Sequence, residues 1–403
     1  MKAEPAVKKR IVGLSLVTAV CLTGDSMLYI ALPIYWENVG LTGLWQVGIL
    51  LSINRLIRIV LGPLLGWLSS RIPRTSNLVI ALILSGVITV GYGFAHSFAY
   101  WVLLRCLWGI VWMLLRMGAY ITIADESTSE NRGYLTGMYN GLYRVGSLFG
   151  MAAGGLLADT IGFSRVSILL GCLILITTPI AVLKLGKSSF GYQDEKTGYF
   201  WAHARKLKEF EVGRLLFTGL LLTMTFEGAL CSTLSYVIHS FFTDRVELFS
   251  LIVGAATLSG LIQASRWALA PVISPIIGSL IDKSPKVRIL TFIAALTIGG
   301  LGIGAMLWTR NVVLWSCAGL LVLLMATLLT VILDSWAAEK AADDSKYFMM
   351  TVYTISVDVG AAIGPVVGYL FHSPVVLFRF LLGVLFILVV IWTFSAQWRS
   401  IRT

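Results

Sequence analysis

The sequence is short of charge, since only 13% of its 403 residues are Asp, Glu, Lys or Arg. A water-soluble domain carries about 25%, because its surface has to be hydrated. Hydrophobic residues make up 57% of the chain. Apolar stretches of about 20 residues, the length that crosses the hydrocarbon core of a bilayer, recur along it. The composition therefore predicts an integral membrane protein and excludes the soluble globular classes.

The chemical signatures of enzymes and metal proteins are also missing. The five cysteines fall inside apolar stretches without paired spacing, and the four histidines are scattered, so we expect neither disulfides nor a metal site. The sequence has no phosphate-binding loop ending in Gly-Lys-Ser/Thr, no His-Glu-x-x-His and no nucleophile elbow. We therefore expect no cofactor, no direct use of ATP and no enzyme activity.

A formal net charge of +11 would be compatible with a nucleic-acid partner if the basic residues were clustered. Every lysine lies instead in the N-terminal tail, in alternate loops or around residues 184–208, which is the positive-inside pattern of membrane proteins. We therefore expect no nucleic acid as partner and place both termini in the cytoplasm. The predicted spans are 11–33, 45–69, 76–97, 99–123, 134–158, 165–184, 214–240, 250–281, 288–308, 311–336, 347–371 and 375–396.

The second half of the chain repeats the first. A shift of 212 residues aligns Gly66 with Gly278 at the ends of spans two and eight. A shift of 214 superposes three glycines of spans five and eleven, beginning with Gly146 on Gly360. Such duplication is common in transporters. We predict an N-terminal six-helix bundle (1–185), a cytoplasmic linker (186–213) and a C-terminal six-helix bundle (214–403).

Several motifs resemble those of the major facilitator superfamily along the whole chain. Gly66, Arg71 and Arg74 follow the pattern of its loop between the second and third helices, and Asp282 with Lys283 stand in the second copy. Arg105 resembles the conserved arginine of the fourth helix, and the glycines of span five resemble the antiporter motif. Ser70 and Pro73 depart from the usual acidic residue and glycine.

The resemblance implies an all-α membrane protein with twelve transmembrane helices in two pseudo-symmetric bundles that rock about a midplane site. It also implies a gating role for one set of residues: Gly66, Arg71, Arg74, Arg105, Asp282 and Lys283.

Ionisable residues deep in the predicted spans mark the candidate site, because a charge at mid-bilayer costs about 2.5–3.5 kcal/mol unless it is compensated. Burial favours the neutral form of a carboxylate, so the deep acids are candidates for proton coupling: Asp25, Glu227, Asp334 and Asp358. Arginines and aromatic residues on the same helix faces are candidates for substrate binding: Tyr29, Arg58, Trp112, Arg116, Arg144 and Arg266. Arg144 and Asp358 occupy equivalent positions, and they either bind substrate or neutralise each other.

These features predict a secondary active transporter in a bacterial inner membrane that acts by alternating access. We expect proton-coupled export of a small amphiphilic molecule, anionic or zwitterionic, because arginines dominate the intramembrane charges of the first half and acids dominate those of the second. The alternatives are symport or facilitated uptake of an organic anion or metabolite, and a lipid flippase. A membrane receptor that has lost transport is a further alternative from a different class. We expect the substrate, protons and the bilayer as partners, and a monomer.

Overall fold

The computed structural model describes residues 5–71, 74–127, 132–185, 210–242, 245–248, 251–281, 285–340, 346–371 and 373–402. The first half of the chain contains α1 (Pro5–Tyr35), α2 (Leu44–Arg71), α3 (Arg74–Tyr92), α4 (Phe98–Glu126), α5 (Arg132–Ile161) and α6 (Phe163–Leu185). The second half contains α7 (Phe210–Leu222), a π-helical segment (Thr223–Leu230), α8 (Cys231–Phe242), β1 (Arg245–Leu248) and β2 (Leu251–Gly254). It continues with α9 (Ala255–Ile281), α10 (Pro285–Trp308), α11 (Val312–Lys340), α12 (Lys346–Leu370) and α13 (Pro374–Arg402).

Helices dominate because the hydrocarbon core offers no water to the backbone, so each N–H and C=O has to be satisfied within its own segment. Eight helical stretches of the described chain are long and apolar enough to cross a membrane, and two shorter apolar helices accompany them. Large apolar side chains such as Leu301, Phe386 and Ile176 are about 70% exposed along these helices, as expected for surfaces that face lipid. The predicted all-α membrane fold is confirmed.

One predicted span begins too early. The prediction 250–281 includes residues that form the second strand of a short antiparallel hairpin, in which Leu248 pairs with Leu251, and α9 begins only at Ala255. The hydrophobic strand β2 (Leu251–Gly254) runs directly into the apolar helix. Hydropathy alone therefore could not show where β2 ends and α9 begins.

Contacts divide the chain into two compact units. Unit 1 comprises Met1–Asp194 together with Ala256–Trp267, and unit 2 comprises Glu195–Ala255 together with Ala268–Thr403. The first part of α9 thus belongs to unit 1, although it lies in the second half of the sequence. Most of the predicted linker (186–213) lies outside the described residues, which resume at Phe210, so the predicted domain boundaries stay a prediction.

Glycines allow close contacts between helices within each unit. A Cβ on Gly146 of α5 would overlap the carbonyl oxygen of Ala19 on α1, and a Cβ on Gly360 of α12 would overlap that of Leu220 on α7. Small residues let helix backbones approach in this way within membranes. Because Gly146 and Gly360 are equivalent in the sequence repeat, the two units use the same packing device.

The part of α9 that belongs to unit 1 packs against α1 and α5. Ile30, Met151 and Ala256 form a buried apolar cluster on which Ile34 and Trp267 pack. A carboxylate reinforces this contact. Asp159 of α5 accepts hydrogen bonds from the Tyr35 hydroxyl (3.0 Å), the Thr257 amide (2.8 Å) and the Thr257 hydroxyl (2.5 Å). Asp159 therefore satisfies a backbone N–H in the first turn of α9, where helices leave such groups unpaired.

Candidate functional site

A buried ion pair joins α1 to α4 in unit 1. The Arg105 Nη1 donates to Asp25 Oδ1 at 2.5 Å, and its Nε donates to the Leu50 carbonyl oxygen of α2 at 2.9 Å. The same Nη1 lies 3.4 Å from the Tyr92 hydroxyl of α3. The Arg105 side chain is fully buried. Four helices therefore meet at one guanidinium.

The sequence predicted these two charges separately, Asp25 for proton coupling and Arg105 for gating, and the structure brings them together. Burying an ion pair away from water carries a desolvation cost of several kcal/mol per ion, which is offset only by close contact and further hydrogen bonds. The Leu50 carbonyl and Tyr92 hydroxyl supply those bonds. Tyr29, predicted to bind substrate, lies one turn beyond Asp25 on α1. It is buried, with its hydroxyl 3.5 Å from the Leu51 carbonyl oxygen.

A second group, which we call the Arg116 cluster, lies between α4 and α5. Its members are Trp112, Arg116, Tyr120, Tyr139, Asn140 and Tyr143. The guanidinium carbon of Arg116 lies 5.3 Å from the ring centroid of Tyr120 and 5.8 Å from that of Trp112. Arg116 Nη2 donates to the Tyr120 hydroxyl at 3.2 Å, and this hydroxyl donates to Asn140 Oδ1 at 3.3 Å.

The tyrosines of α5 complete the Arg116 cluster. The rings of Tyr139 and Tyr143 lie 5.1 Å apart between centroids, and Tyr143 meets Trp112 edge-on at 5.6 Å. Cation–π contacts within about 6 Å of a ring are attractive, by about 0.5–2 kcal/mol each. The sequence predicted Trp112 and Arg116 but missed the tyrosines. Their spacing of four residues along α4 and α5 was a signal that could have found them.

A third group, the Arg–Trp–Arg group, consists of Arg144, Arg266 and Trp267 in unit 1. The guanidinium carbons of Arg144 and Arg266 lie 4.8 Å and 4.9 Å from the centroid of the Trp267 ring. Both guanidinium groups therefore contact the same indole ring. Arg144 is exposed, whereas Arg266 is only 3% exposed.

Arg58, the remaining predicted substrate residue, bonds back to its own helix. Its Nε donates to the carbonyl oxygen of Asn54 at 3.1 Å, and its side chain is half-buried. It lies on α2, which supplies neither the Arg116 cluster nor the Arg–Trp–Arg group.

The predicted acids of the second half lie in unit 2. Asp334 of α11 accepts a hydrogen bond from the Tyr353 hydroxyl of α12 at 2.5 Å. A shift of 214 relates these residues to Tyr120 and Tyr139, whose rings contact at 5.9 Å in unit 1. The same pair of positions therefore meets in both units. Asp358 lies on α12 and is half-buried.

Glu227 occupies the π-helical segment and corresponds to Asp25. Asp25 lies six residues after Ala19, and Glu227 lies seven residues after Leu220, the residue that makes the equivalent glycine contact. The extra residue is accounted for by the wider turn of a π-helix, a feature often found at functional sites. Position 319, the repeat equivalent of Arg105, is a glycine. The two units thus carry equivalent acids, and α11 offers no arginine at the position from which α4 offers one.

The predicted gating residues are only partly described. Gly66 lies in α2, Arg71 ends that helix and Arg74 begins α3, while Asp282 and Lys283 lie outside the described residues. Their gating role stays a prediction. Among the residues that the structure describes, no group of three His, Cys, Asp or Glu could hold a metal ion, and the five cysteines are free thiols.

The described residues contain eight apolar helical stretches long enough to cross a membrane and two shorter ones, with charged side chains buried among them. This is the pattern of a polytopic membrane protein. Residues 14–365 match the sequence profile of the Major Facilitator Superfamily. Because this match covers most of the chain, the protein belongs to the major facilitator superfamily.

Similar proteins include the multidrug resistance protein MdtG of Escherichia coli O17:K52:H18 (strain UMN026 / ExPEC), which is 25% identical over 276 residues. MdtG of Escherichia coli (strain K12 / DH10B) matches at the same identity. The matched region spans 67% of this chain and 65% of each of these proteins.

Among solved structures, the fold is similar to a bacterial homolog of the human lysosomal transporter Spinster in two inward-facing crystal structures. The unoccupied form has a TM-score of 0.72 and 17% identity, and the match covers 92% of this chain and 83% of that one. The occupied form has a TM-score of 0.72 and 15% identity, with 98% and 96% covered. At this identity the likeness concerns the fold.

Proposed function

We propose that this protein is a secondary active transporter that exports a small amphiphilic organic molecule in exchange for protons. The observation that carries the proposal is the buried ion pair between Asp25 and Arg105. Because Arg105 is fully buried, protonation of Asp25 changes how favourably α1 and α4 pack together. We further propose that it acts as a monomer in the bacterial inner membrane, with both termini cytoplasmic.

Asp25 is the group that binds the proton in this mechanism. When Asp25 is ionised, Arg105 neutralises it at 2.5 Å. A proton on Asp25 removes that neutralisation and leaves the buried guanidinium with only neutral acceptors, the Leu50 carbonyl and the Tyr92 hydroxyl. Depriving a buried charge of its partner costs about 3–5 kcal/mol. Protonation therefore favours an arrangement of α1 and α4 in which Arg105 gains water or a substrate anion.

The proton gradient supplies free energy on the same scale. One pH unit across the membrane corresponds to about 1.4 kcal/mol per proton, and a membrane potential of about 100 mV adds roughly 2.3 kcal/mol per charge. Together these terms are comparable to the cost of breaking the ion pair. A single exchanged proton is therefore sufficient to bias the switch.

We assign Glu227 as the second proton-binding group because it corresponds to Asp25 in the repeat and lies in a π-helical segment. Asp334 and Asp358 accompany it in unit 2, and the Tyr353 hydroxyl donates to Asp334. In this proposal each unit carries one proton-binding carboxylate, Asp25 in unit 1 and Glu227 in unit 2.

The export direction is supported by the similarity to proteins named for multidrug resistance. The amphiphilic character of the substrate is supported by the Arg116 cluster, in which one guanidinium lies among aromatic rings. Binding sites for small organic molecules commonly combine a predominantly apolar and aromatic lining with a few polar groups.

The test is flux across proteoliposomes that hold a pH gradient, with amphiphilic fluorescent anions and cations as probes. Wild type should show flux that rises with the gradient, and Asp25→Asn should abolish that dependence while Asp25→Glu retains part of it. Glu37→Gln, which removes an exposed carboxylate from the turn that follows α1, is the matched control and should behave as wild type. Equal pH dependence in wild type and Asp25→Asn would remove Asp25 as the coupling group.

A further inference from the structure

A ladder of glycine contacts gives the register of α1 against α5 in unit 1. A Cβ added to each of three α5 glycines would meet a residue of α1, and the contacts recur every four residues on both helices. They join Gly146 to Ala19, Gly150 to Thr23 and Gly154 to Met27. Because both helices advance by the same number of residues, α1 is a regular helix through the ladder. Asp25 lies between the second and third contacts.

The equivalent ladder in unit 2 has one residue too many on the side that faces α12. Its contacts join Gly360 to Leu220, Gly364 to Met224 and Gly368 to Ala229. The steps along α12 are four residues each, whereas the steps along the facing helix are four and then five. An inserted residue therefore lies between Met224 and Ala229. This stretch falls within the π-helical segment (Thr223–Leu230), whose wider turn accommodates the insertion.

Thr225 is an unusual residue within this segment. It is fully buried, yet its hydroxyl has no hydrogen-bond partner among the residues that the structure describes. The buried threonines before and after it, Thr223 and Thr233, each donate to the carbonyl oxygen four residues earlier at 2.8 Å. That bond is the usual one for a threonine in an α-helix. Because an unpaired buried hydroxyl is unfavourable, the insertion reduces stability at this point.

The insertion also decides where Glu227 lies. Seven of the eight residues of the segment are buried, and Glu227 is the exception. A Cβ on Gly364 would overlap the Cα of Gly228, just as a Cβ on Gly150 would meet the Ser26 side chain. Gly228 therefore takes the place of Ser26, and Glu227 takes the place of Asp25. Without the insertion, counting on from Met224 would put Glu227 itself in the contact with α12.

From this register we infer that Thr225 is the inserted residue and that the π-helical turn moves past Glu227 during transport. When the turn precedes Glu227, as in this structure, the carboxylate occupies the place of Asp25. When the turn follows Glu227, the residue is rotated by about 100° around the helix axis and enters the contact with α12. The Thr225 hydroxyl then donates to the carbonyl oxygen of Leu221, as other threonines do.

Protonation selects between the two positions. An ionised carboxylate is costly inside a membrane, and it is least tolerable where two helix backbones touch. Glu227 therefore enters the contact with α12 only in its neutral, protonated form. Thr225 is a positioning residue for Glu227 in this scheme. The inference rests on the proposed function, since it describes how a proton on Glu227 changes helix packing.

Deletion of Thr225 tests the inference, because it removes the extra residue and fixes Glu227 in the place of Asp25. All three glycine contacts are kept, so the full chain in phosphatidylcholine nanodiscs should fold and melt at or above the wild-type temperature. Hydrogen exchange of the segment, followed by mass spectrometry, should slow by about tenfold or more, as expected when one hydrogen bond no longer opens. Proton-dependent flux in proteoliposomes should fall by at least the same factor.

Two variants serve as controls. Thr225→Ser keeps both the inserted residue and its hydroxyl, and it should match wild type in exchange and flux. Deletion of Phe217 removes a side chain that is 49% exposed from the regular helix α7. No π-helical turn is present there to absorb the change of register, so this deletion should lower the melting temperature.

Misfolding of the Thr225 deletion would overturn the assignment of the inserted residue. Full proton-dependent flux in that variant, or hydrogen exchange at the wild-type rate, would overturn the movement of the turn. Flux that does not depend on protons in wild type would refute the proposed function. The exchange comparison requires no transport, so it would still decide whether the turn moves.

Discussion

Neutralising one member of the Asp25–Arg105 pair should destabilise the protein more than neutralising both. Asp25→Asn leaves the guanidinium of a fully buried arginine without its counter-ion, and Arg105→Leu leaves a carboxylate that is 12% exposed in its side chain. Each change should cost about 3–5 kcal/mol, because the remaining charge is buried and unpaired.

The double variant removes both charges and retains none of these penalties. What it loses is the hydrogen bonding of Arg105 to the Leu50 carbonyl and the Tyr92 hydroxyl, worth about 1 kcal/mol each. A double-mutant cycle built from the two single variants and the double variant should therefore give a coupling free energy of at least ~3 kcal/mol in favour of the pair.

The assay is reversible unfolding of the purified protein in mixed micelles by titration with dodecyl sulfate, followed by tryptophan fluorescence. Arg288 and Glu339 provide the matched control, because they form an ion pair at the same 2.5 Å with the Glu339 side chain 66% exposed. Exposed pairs contribute about 0–1 kcal/mol. A coupling free energy for Asp25 and Arg105 no larger than that of the exposed pair would refute the reasoning that links this pair to the conformational switch.

Two further predictions concern packing in unit 1. Gly146→Ala should destabilise the protein by about 1–3 kcal/mol or more, because the added methyl group overlaps backbone of α1. Gly137→Ala on the same helix meets nothing within 4 Å and should be neutral or stabilising in the same unfolding assay. Asp159→Asn should speed hydrogen exchange of the Thr257 amide by about tenfold or more, because a charged acceptor is replaced by a neutral one. Mass spectrometry of peptides from the first turns of α9 measures this. Exchange at the wild-type rate would show that the Asp159 hydrogen bond does not hold that helix end.

The sequence was a good guide to which residues matter and a poor guide to what they contact. Asp25 and Arg105 stood out because charges are costly inside apolar spans, and both prove to be buried. Their pairing was not predictable, since it depends on the rotation and spacing of α1 against α4. Tyr92 gave no sequence signal at all, because a tyrosine is common in apolar segments and its role depends on one hydroxyl position.

In the Arg–Trp–Arg group, too, the sequence predicted some of the residues but not the contacts between them. The arginines were predicted as substrate residues, but Trp267 was not, although it stands next to Arg266. No local pattern links Arg144 of α5 to Trp267 of α9, because more than a hundred residues separate them and only helix packing places them at 4.8 Å. The β1–β2 hairpin before α9 was not predicted for a different reason, because an apolar strand and an apolar helix have the same hydropathy.

Composition, span length and the internal repeat determined by themselves that this chain crosses a membrane many times in two related halves. Those properties follow from local physics: apolar residues partition into lipid, and each helix satisfies its own backbone. Only the tertiary structure decided which charges pair with each other and which arginines contact the same aromatic ring. Such contacts depend on how whole helices rotate and pack, and glycine contacts such as that of Gly146 with Ala19 fix those distances.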